Sequence, residues 1–439
     1  VQLPSLKDVS KIGAGAYLSM ALMKDGTVWT LGGNIFSQLG VGIKPDNLPA
    51  SADPAQVVIS QPATAITSGF AFALARAGSN TWGWGENSMG QLGIGFLSGN
   101  PQDNNSGTIN PTRGAIDLWP KAAPTIQRIA GIQAINTAVE IAKKGWPNGS
   151  STVILATVNN FPDALSAATL AHQFDAPILL TDKKSLDPDV QTEIDKLNPS
   201  KIIIVGGTAV VSGDIENSLK QKYNDVTRLA GFDQYETNAK IADYFFAVNP
   251  NAPKKVVIAN GDNYPDALSI SSWAAYNHMP ILLTKSKELP TVTSSVLVEH
   301  YIDDAILVGG RAAISDDVAK DITSIVSIHW DGSDPNRSLV RYWGMDQYET
   351  SIAIARGLRA NTSIITVATG ENFPDALAGS ALAARTGSPI ILVDKNMSKA
   401  SVSNFLSDNS GQMRQVYLLG GKAVITDSSY ASVSNYLAE

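Results

Sequence analysis

Three aspartates in one recurring setting are the first residues whose types and spacing could do chemistry. Asp163, Asp266 and Asp375 each sit in the string Asn-Phe/Tyr-Pro-Asp-Ala-Leu, at 160–165, 263–268 and 372–377. A carboxylate following a buried strand, at the sheet edge where α/β proteins bind ligands, could work on a glycan. It could also orient hydroxyls, or hold a cation that bridges to phosphate. The plainer reading is a first-turn helix carboxylate favoured by the helix dipole. Arg128, Arg228 and Arg341 also recur at matched positions. Their planar forks suit phosphate or carboxylate, and an internal ion pair with Asp233 or Asp346 is the alternative. Arg128 persists where the matching aspartate is Gln133, which gives the arginine a role beyond that pairing. The glycine pairs 206–207, 309–310 and 420–421 suit tight strand-to-helix turns, which could also present N–H groups to an anion.

Other chemistries are excluded or unsupported. The chain has no cysteine, so disulfides and thiolate chemistry are absent. His172, His278, His300 and His329 have no metal-ligand spacing, and neither a phosphate-loop nor a nucleophile-elbow string occurs. No catalytic residue, metal or cofactor is assigned. The net charge of −7 argues against nucleic acid, and no apolar run approaches the roughly 20 residues of a membrane helix. Residues 1–125 are charge-balanced, so the acidic excess lies in 126–439.

The elements that must position these residues are themselves repeated. Pro177-Ile-Leu-Leu, Pro280-Ile-Leu-Leu and Pro389-Ile-Ile-Leu follow the aspartate strings, and the glycine pairs come next. The prolines of the aspartate strings (162, 265, 374) lie 103 and 109 positions apart, so a unit of about that length occurs three times. Within each, continuous β-branched runs such as 153–157 and 201–205 read as strands buried on both faces, and small-residue or amphipathic stretches between them read as helices. Ser212, Ser315 and Thr426 stand where helix N-caps are needed. The fold class is α/β: three Rossmann-like modules with parallel sheets, at 126–227, 228–340 and 341–439. Each opens on one signature, best kept as Arg228-Leu-Ala-Gly-Phe-Asp233-Gln-Tyr235-Glu-Thr and Arg341-Tyr-Trp-Gly-Met-Asp346-Gln-Tyr348-Glu-Thr.

A different repeat fills 1–98. Gly-x-Asn-x-x-x-Gln-Leu-Gly occurs at 32–40 and 85–93, and Trp29 and Trp82 are 53 positions apart. Short strands punctuated by glycine at that period read as blades of an incomplete β-propeller, with Trp29, Trp82 and Trp84 in its core. This segment resembles the RCC1 repeat family. Residues 99–125, rich in Gly, Pro and Asn, read as a linker.

Taken together, the Arg-x-x-Gly-x-Asp-x-Tyr-Glu-Thr, Phe-Pro-Asp-Ala-Leu, Pro-Ile-Leu-Leu and Val-Gly-Gly strings resemble cell wall binding repeat 2 across about 126–439. The resemblance implies three modules around a pseudo-threefold axis and a secreted wall or S-layer protein. It implies non-covalent attachment to an anionic secondary wall polymer, with the N-terminal repeats available to other surface proteins. Arg128, Arg228, Arg341, Asp233, Asp346, Tyr235, Tyr348, the three repeated aspartates and the rim of the Pro177, Pro280 and Pro389 segments are the expected polymer contacts. A hydrolase or transferase acting on a wall glycan through the aspartates is the rival reading. Gln234 and Gln347 stand where the family usually carries arginine, and the first copy's signature lacks the polar centre.

Overall fold

Glycine-punctuated apolar runs give antiparallel strands in the first part of the chain, and longer β-branched runs give parallel ones in the rest. The computed structural model describes all residues except 1–5, 42–48, 60–61, 78–79, 88, 90, 93–107, 114–123, 161–164, 328–338, 359 and 439. The chain forms two units, Val1–Ala122 and Ala123–Glu439.

In the first unit β1 (Val9–Ala14), β2 (Leu18–Met23), β3 (Val28–Gly33) and β4 (Ala50–Gln56) make one antiparallel sheet. A second comprises β5 (Ala63–Ser68), β6 (Phe72–Ala77), β7 (Asn80–Gly85) and β8 (Thr108–Arg113). The repeated string is a turn lock. Asn34 and Asn87 accept from the N–H of Leu39 and Leu92, at 3.0 and 2.8 Å. Gln38 and Gln91 accept from Phe36 and Met89, both at 2.9 Å. Trp84 is fully buried and donates to the Gln38 carbonyl, while Trp29 and Trp82 are half-buried. The linker expected at 99–125 is corrected in part, because β8 lies inside it. Pro111 is tolerated there because β8 is an edge strand with a register shift in its pairing.

The second unit is α/β. Repeat one runs β9 (Thr125–Ile129), α1 (Ala134–Gly145), β10 (Thr152–Thr157), α2 (Ala167–Gln173), β11 (Ile178–Thr181), α3 (Pro188–Leu197), β12 (Lys201–Val205), α4 (Gly213–Lys222). Repeat two runs β13 (Asp225–Leu229), α5 (Gln234–Val248), β14 (Lys255–Asn260), α6 (Pro265–Tyr276), β15 (Ile281–Thr284), α7 (Thr291–Glu299), β16 (Asp304–Val308), α8 (Asp316–Val326). Repeat three runs β17 (Val340–Tyr342), α9 (Gln347–Gly357), β18 (Ile364–Thr369), α10 (Pro374–Thr386), β19 (Ile390–Val393), α11 (Ala400–Asn409), β20 (Gln415–Leu419), α12 (Asp427–Ala438).

Each repeat does not build its own sheet. The orders are β11-β10-β12-β13, β15-β14-β16-β17 and β19-β18-β20-β9, so every opening strand completes the sheet of the preceding repeat. β9 pairs in parallel with β20, from Thr125 on Gln415 to Ile129 on Leu419, and closes the ring. Boundaries drawn before each signature therefore mark the repeating unit, whereas each sheet crosses them. The helices α2, α6 and α10 pack on one another at the centre of the pseudo-threefold arrangement. Ala168, Ala275 and Ala384, one from each, form a buried cluster. Their small side chains let three helices approach closely.

Candidate functional site: the carboxyl rim of the three sheets

Because all strands in a sheet are parallel, their carboxyl ends share one edge, where turns gather and α/β ligands bind. The described parts of the aspartate strings, the glycine pairs and the opening signatures all lie on this rim. Pro177, Pro280 and Pro389 lie at the opposite edge. Their carbonyls accept from the N–H of Ile154, Val257 and Thr366, at 3.0, 2.9 and 3.0 Å. The Ile-Leu-Leu strands that follow them are fully buried edge strands at the seams between modules. Asn238 of α5 covers one such edge, donating to the Ile281 carbonyl at 2.7 Å and accepting from Leu283 N–H at 2.9 Å. It also bonds Ser166 of the neighbouring module. Ser351 takes the matching place in repeat three, accepting from Leu392 N–H at 3.2 Å.

The opening signature is mostly joinery. Arg128 donates to the carbonyls of Gly420 and Ile425, both at 2.9 Å, and Arg341 to Gly309 and Ile314, both at 2.9 Å. Arg228 reaches Gly206 O at 2.6 Å and pairs with Glu216 at 2.6 Å. The arginines thus brace the Gly-Gly turn of the preceding sheet, which accounts for Arg128 surviving beside Gln133. Gly206, Gly309 and Gly420 have φ of 105°, 112° and 105°, a region in which only glycine is unstrained. Asp233 caps α5, accepting from Glu236 N–H at 2.8 Å. Asp346 caps α9, accepting from Tyr348 and Glu349 at 3.0 Å each. Thr137, Thr237 and Thr350 accept from Gly131, Gly231 and Gly344 N–H, at 3.0, 2.9 and 3.0 Å.

The repeated aspartates complete this joint. Asp163 lies outside the described residues. Asp266 and Asp375 are the second residues of α6 and α10, where a first-turn carboxylate was expected, yet they point into the fold. A β-carbon on Gly309 would lie 2.6 Å from Asp266 Oδ2, and one on Gly420 2.5 Å from Asp375 Oδ2. Thr350 and Thr137 of the following opening signatures lie beside these carboxyls and partly offset the effect of their burial. Burial raises both pKa values, that of Asp375 to about 6, and Asp375 Oδ1 has no hydrogen-bond partner. Asp375 is only 7% exposed, so its carboxyl has little access to a glycan.

What faces outward lies where a signature turn meets the next module. At the seam of modules one and two, Tyr235 is largely buried and its hydroxyl donates to Asp262 at 3.0 Å; burial pushes its pKa up to about 12. Gln234 donates to Gly261 O at 3.2 Å, and Gln347 at the next seam to Gly370 O at 2.8 Å. Lys285 stands over the Tyr235 ring and Lys399 over Tyr348, 6.0 and 5.3 Å from the ring centres. Phe232 and Met345 in the same turns are 99% and 84% exposed, and Ile132 in the first copy 96%. Among the described residues no cluster of His, Asp and Glu is arranged to hold a metal ion, and no helix is long and apolar enough to cross a membrane. Sequence reading missed Asn238, the threonine bonds, Lys285 and Lys399. Only the threonines repeat in all three copies, so they alone left a signal.

A closed ring of three α/β modules, each sheet completed by the opening strand of the next repeat, defines a class of triplicated α/β proteins. The model of cell wall binding domain 2 matches residues 128–216, 228–319 and 341–430, and the chain belongs to that family. It is 31% identical over 291 residues to the N-acetylmuramoyl-L-alanine amidase LytC of Bacillus subtilis, covering 64% of this chain and 55% of that one. The amidase enhancer of the same organism is 29% identical over 312 residues, covering 71% and 40%. The chain thus spans about half the length of the curated relatives it matches. Among solved structures, Cwp8 from Clostridium difficile superposes with a TM-score of 0.62 at 26% identity, over 71% of this chain and 52% of that one.

Proposed function

We propose that the unit Ala123–Glu439 holds a secreted surface or S-layer protein to the wall non-covalently, by gripping an anionic secondary polymer at the seams. The first unit would then be displayed for contacts with other surface proteins. The observation that carries this reading is the shared construction of the seams. Each opening strand ends one sheet, and the turn after it begins a helix on the next module, so each seam presents one turn to a passing chain.

In this reading the turns around Asp233 and Asp346 meet the polymer through their exposed residues, and the buried rings of Tyr235 and Tyr348 seat them. Arg128, Arg228, Arg341, Asp266 and Asp375 hold the turns that carry them. Pro177, Pro280 and Pro389 act from the far edge by seating the seam strands. With a net charge of −7, long-range attraction cannot bring an anionic polymer in, so local donors or a bridging cation must supply the affinity. The test is co-sedimentation of the full chain with Gram-positive walls, with and without EDTA, across ionic strength. Binding that responds to neither would sink this mechanism.

A further inference from the structure

Two lysines reach the same place from different positions in the repeat. Lys285 is the residue after β15, and its counterpart in repeat three is Asp394. Lys399 is the N-cap position of α11, and its counterpart in repeat two is Pro290. Yet both ammonium groups stand over the matched tyrosines, Tyr235 and Tyr348. Matching positions of a duplicated chain inherit their residues; a cation supplied from unmatched positions points to a demand at the place itself.

We propose that Lys285 and Lys399 are the oxyanion-contacting groups of two binding seams, and that the third seam, between modules three and one, makes no such contact. In repeat one the two lysine positions are Asp182 and Asp187, and the tyrosine is Ile135. Asn136 of the same signature donates to Asp189 at 2.8 Å, so a carboxylate rather than an ammonium group meets this signature. Each lysine is held in place by one carboxylate, Glu288 at 2.9 Å for Lys285 and Asp346 at 2.9 Å for Lys399. Both lysine side chains remain more than 40% exposed, and Glu288 is 67% exposed. Such exposed pairs are weak, so a phosphodiester or carboxylate on a glycan can share the ammonium without a large penalty. The buried tyrosine ring below each ammonium group fixes the lysine stem.

This inference rests on the wall-binding reading, and the experiment separates the two. The full chain, Lys285→Ala, Lys399→Ala, the double variant and Lys320→Ala are titrated onto intact walls. Lys320, a lysine on α8 whose side chain is 78% exposed, controls for the lost charge. Each single seam variant is expected to weaken binding roughly tenfold, as loss of one charged contact does, and the double variant further. Lys320→Ala should stay within about twofold of the unaltered chain, the range expected for a remote charge. Walls stripped of phosphodiesters with hydrofluoric acid, or with their carboxylates amidated, identify the oxyanion by which treatment abolishes the lysine-dependent part. If the unaltered chain does not bind walls, the wall-binding reading falls. If it binds and the double variant matches Lys320→Ala, or lysine dependence survives both treatments, the inference is overturned.

Discussion

Replacing Asp375 by asparagine isolates a buried carboxyl that joins one module to the next. Burial pushes its pKa from an ordinary 3.8 to about 6. A carboxyl with a raised native pKa binds its proton more tightly folded than unfolded, so its contribution to stability is greatest at low pH. That contribution falls as pH rises through 3.8 to 6 and is then constant. At about 1.4 kcal/mol per pH unit, the ionised carboxylate costs the native state about 3 kcal/mol above pH 6. The amide in the variant does not titrate. The stability of Asp375→Asn relative to the unaltered chain should therefore improve by about 2.5 kcal/mol between pH 4 and pH 8. Urea unfolding followed across that range reads this directly, taking the transition of the second unit. Parallel pH profiles for the two proteins would refute the reasoning, because they would mean the carboxyl titrates alike folded and unfolded.

Three further outcomes follow from the same joints. Arg341→Met leaves the Gly309 and Ile314 carbonyls without their donor and should destabilise the second unit by about 3 kcal/mol in urea unfolding. Asn238→Ala uncovers the β15 edge; it should cost about 2 kcal/mol and speed hydrogen exchange at the Leu283 amide, while exchange in β18 is unchanged. Converting Asp266 and Asp375 together to asparagine should leave wall binding within about twofold, since both carboxyls are directed into the fold against Gly309 and Gly420; total loss of binding in a folded variant would bring the carboxylates back as ligands.

The parts of the fold legible in the sequence were those with a period. β10, β14 and β18 are continuous β-branched runs because both faces are covered, and proline at the start of α6 and α10 marks a helix whose first N–H needs no partner. Ladder partners leave no such mark. Nothing in Thr125–Ile129 states that it pairs with β20, at the other end of the unit, and this made each signature look like the start of its own sheet. The arginines repeat whether they bind a polymer or a turn, and only geometry shows their donors directed at backbone carbonyls. Lys285 and Lys399 were invisible for the opposite reason, since they occupy unmatched positions. Repetition exposes the scaffold well and hides whatever each copy acquired alone.

Binding of an anionic wall polymer at the seams is tested most directly by co-sedimentation of the full chain with Gram-positive walls, before and after acid extraction of their secondary polymers. Binding to intact walls that disappears on extraction, and returns when the extracted polymer is immobilised, is the predicted result. Equal binding to extracted and intact walls would contradict the claim and assign the ligand to peptidoglycan itself.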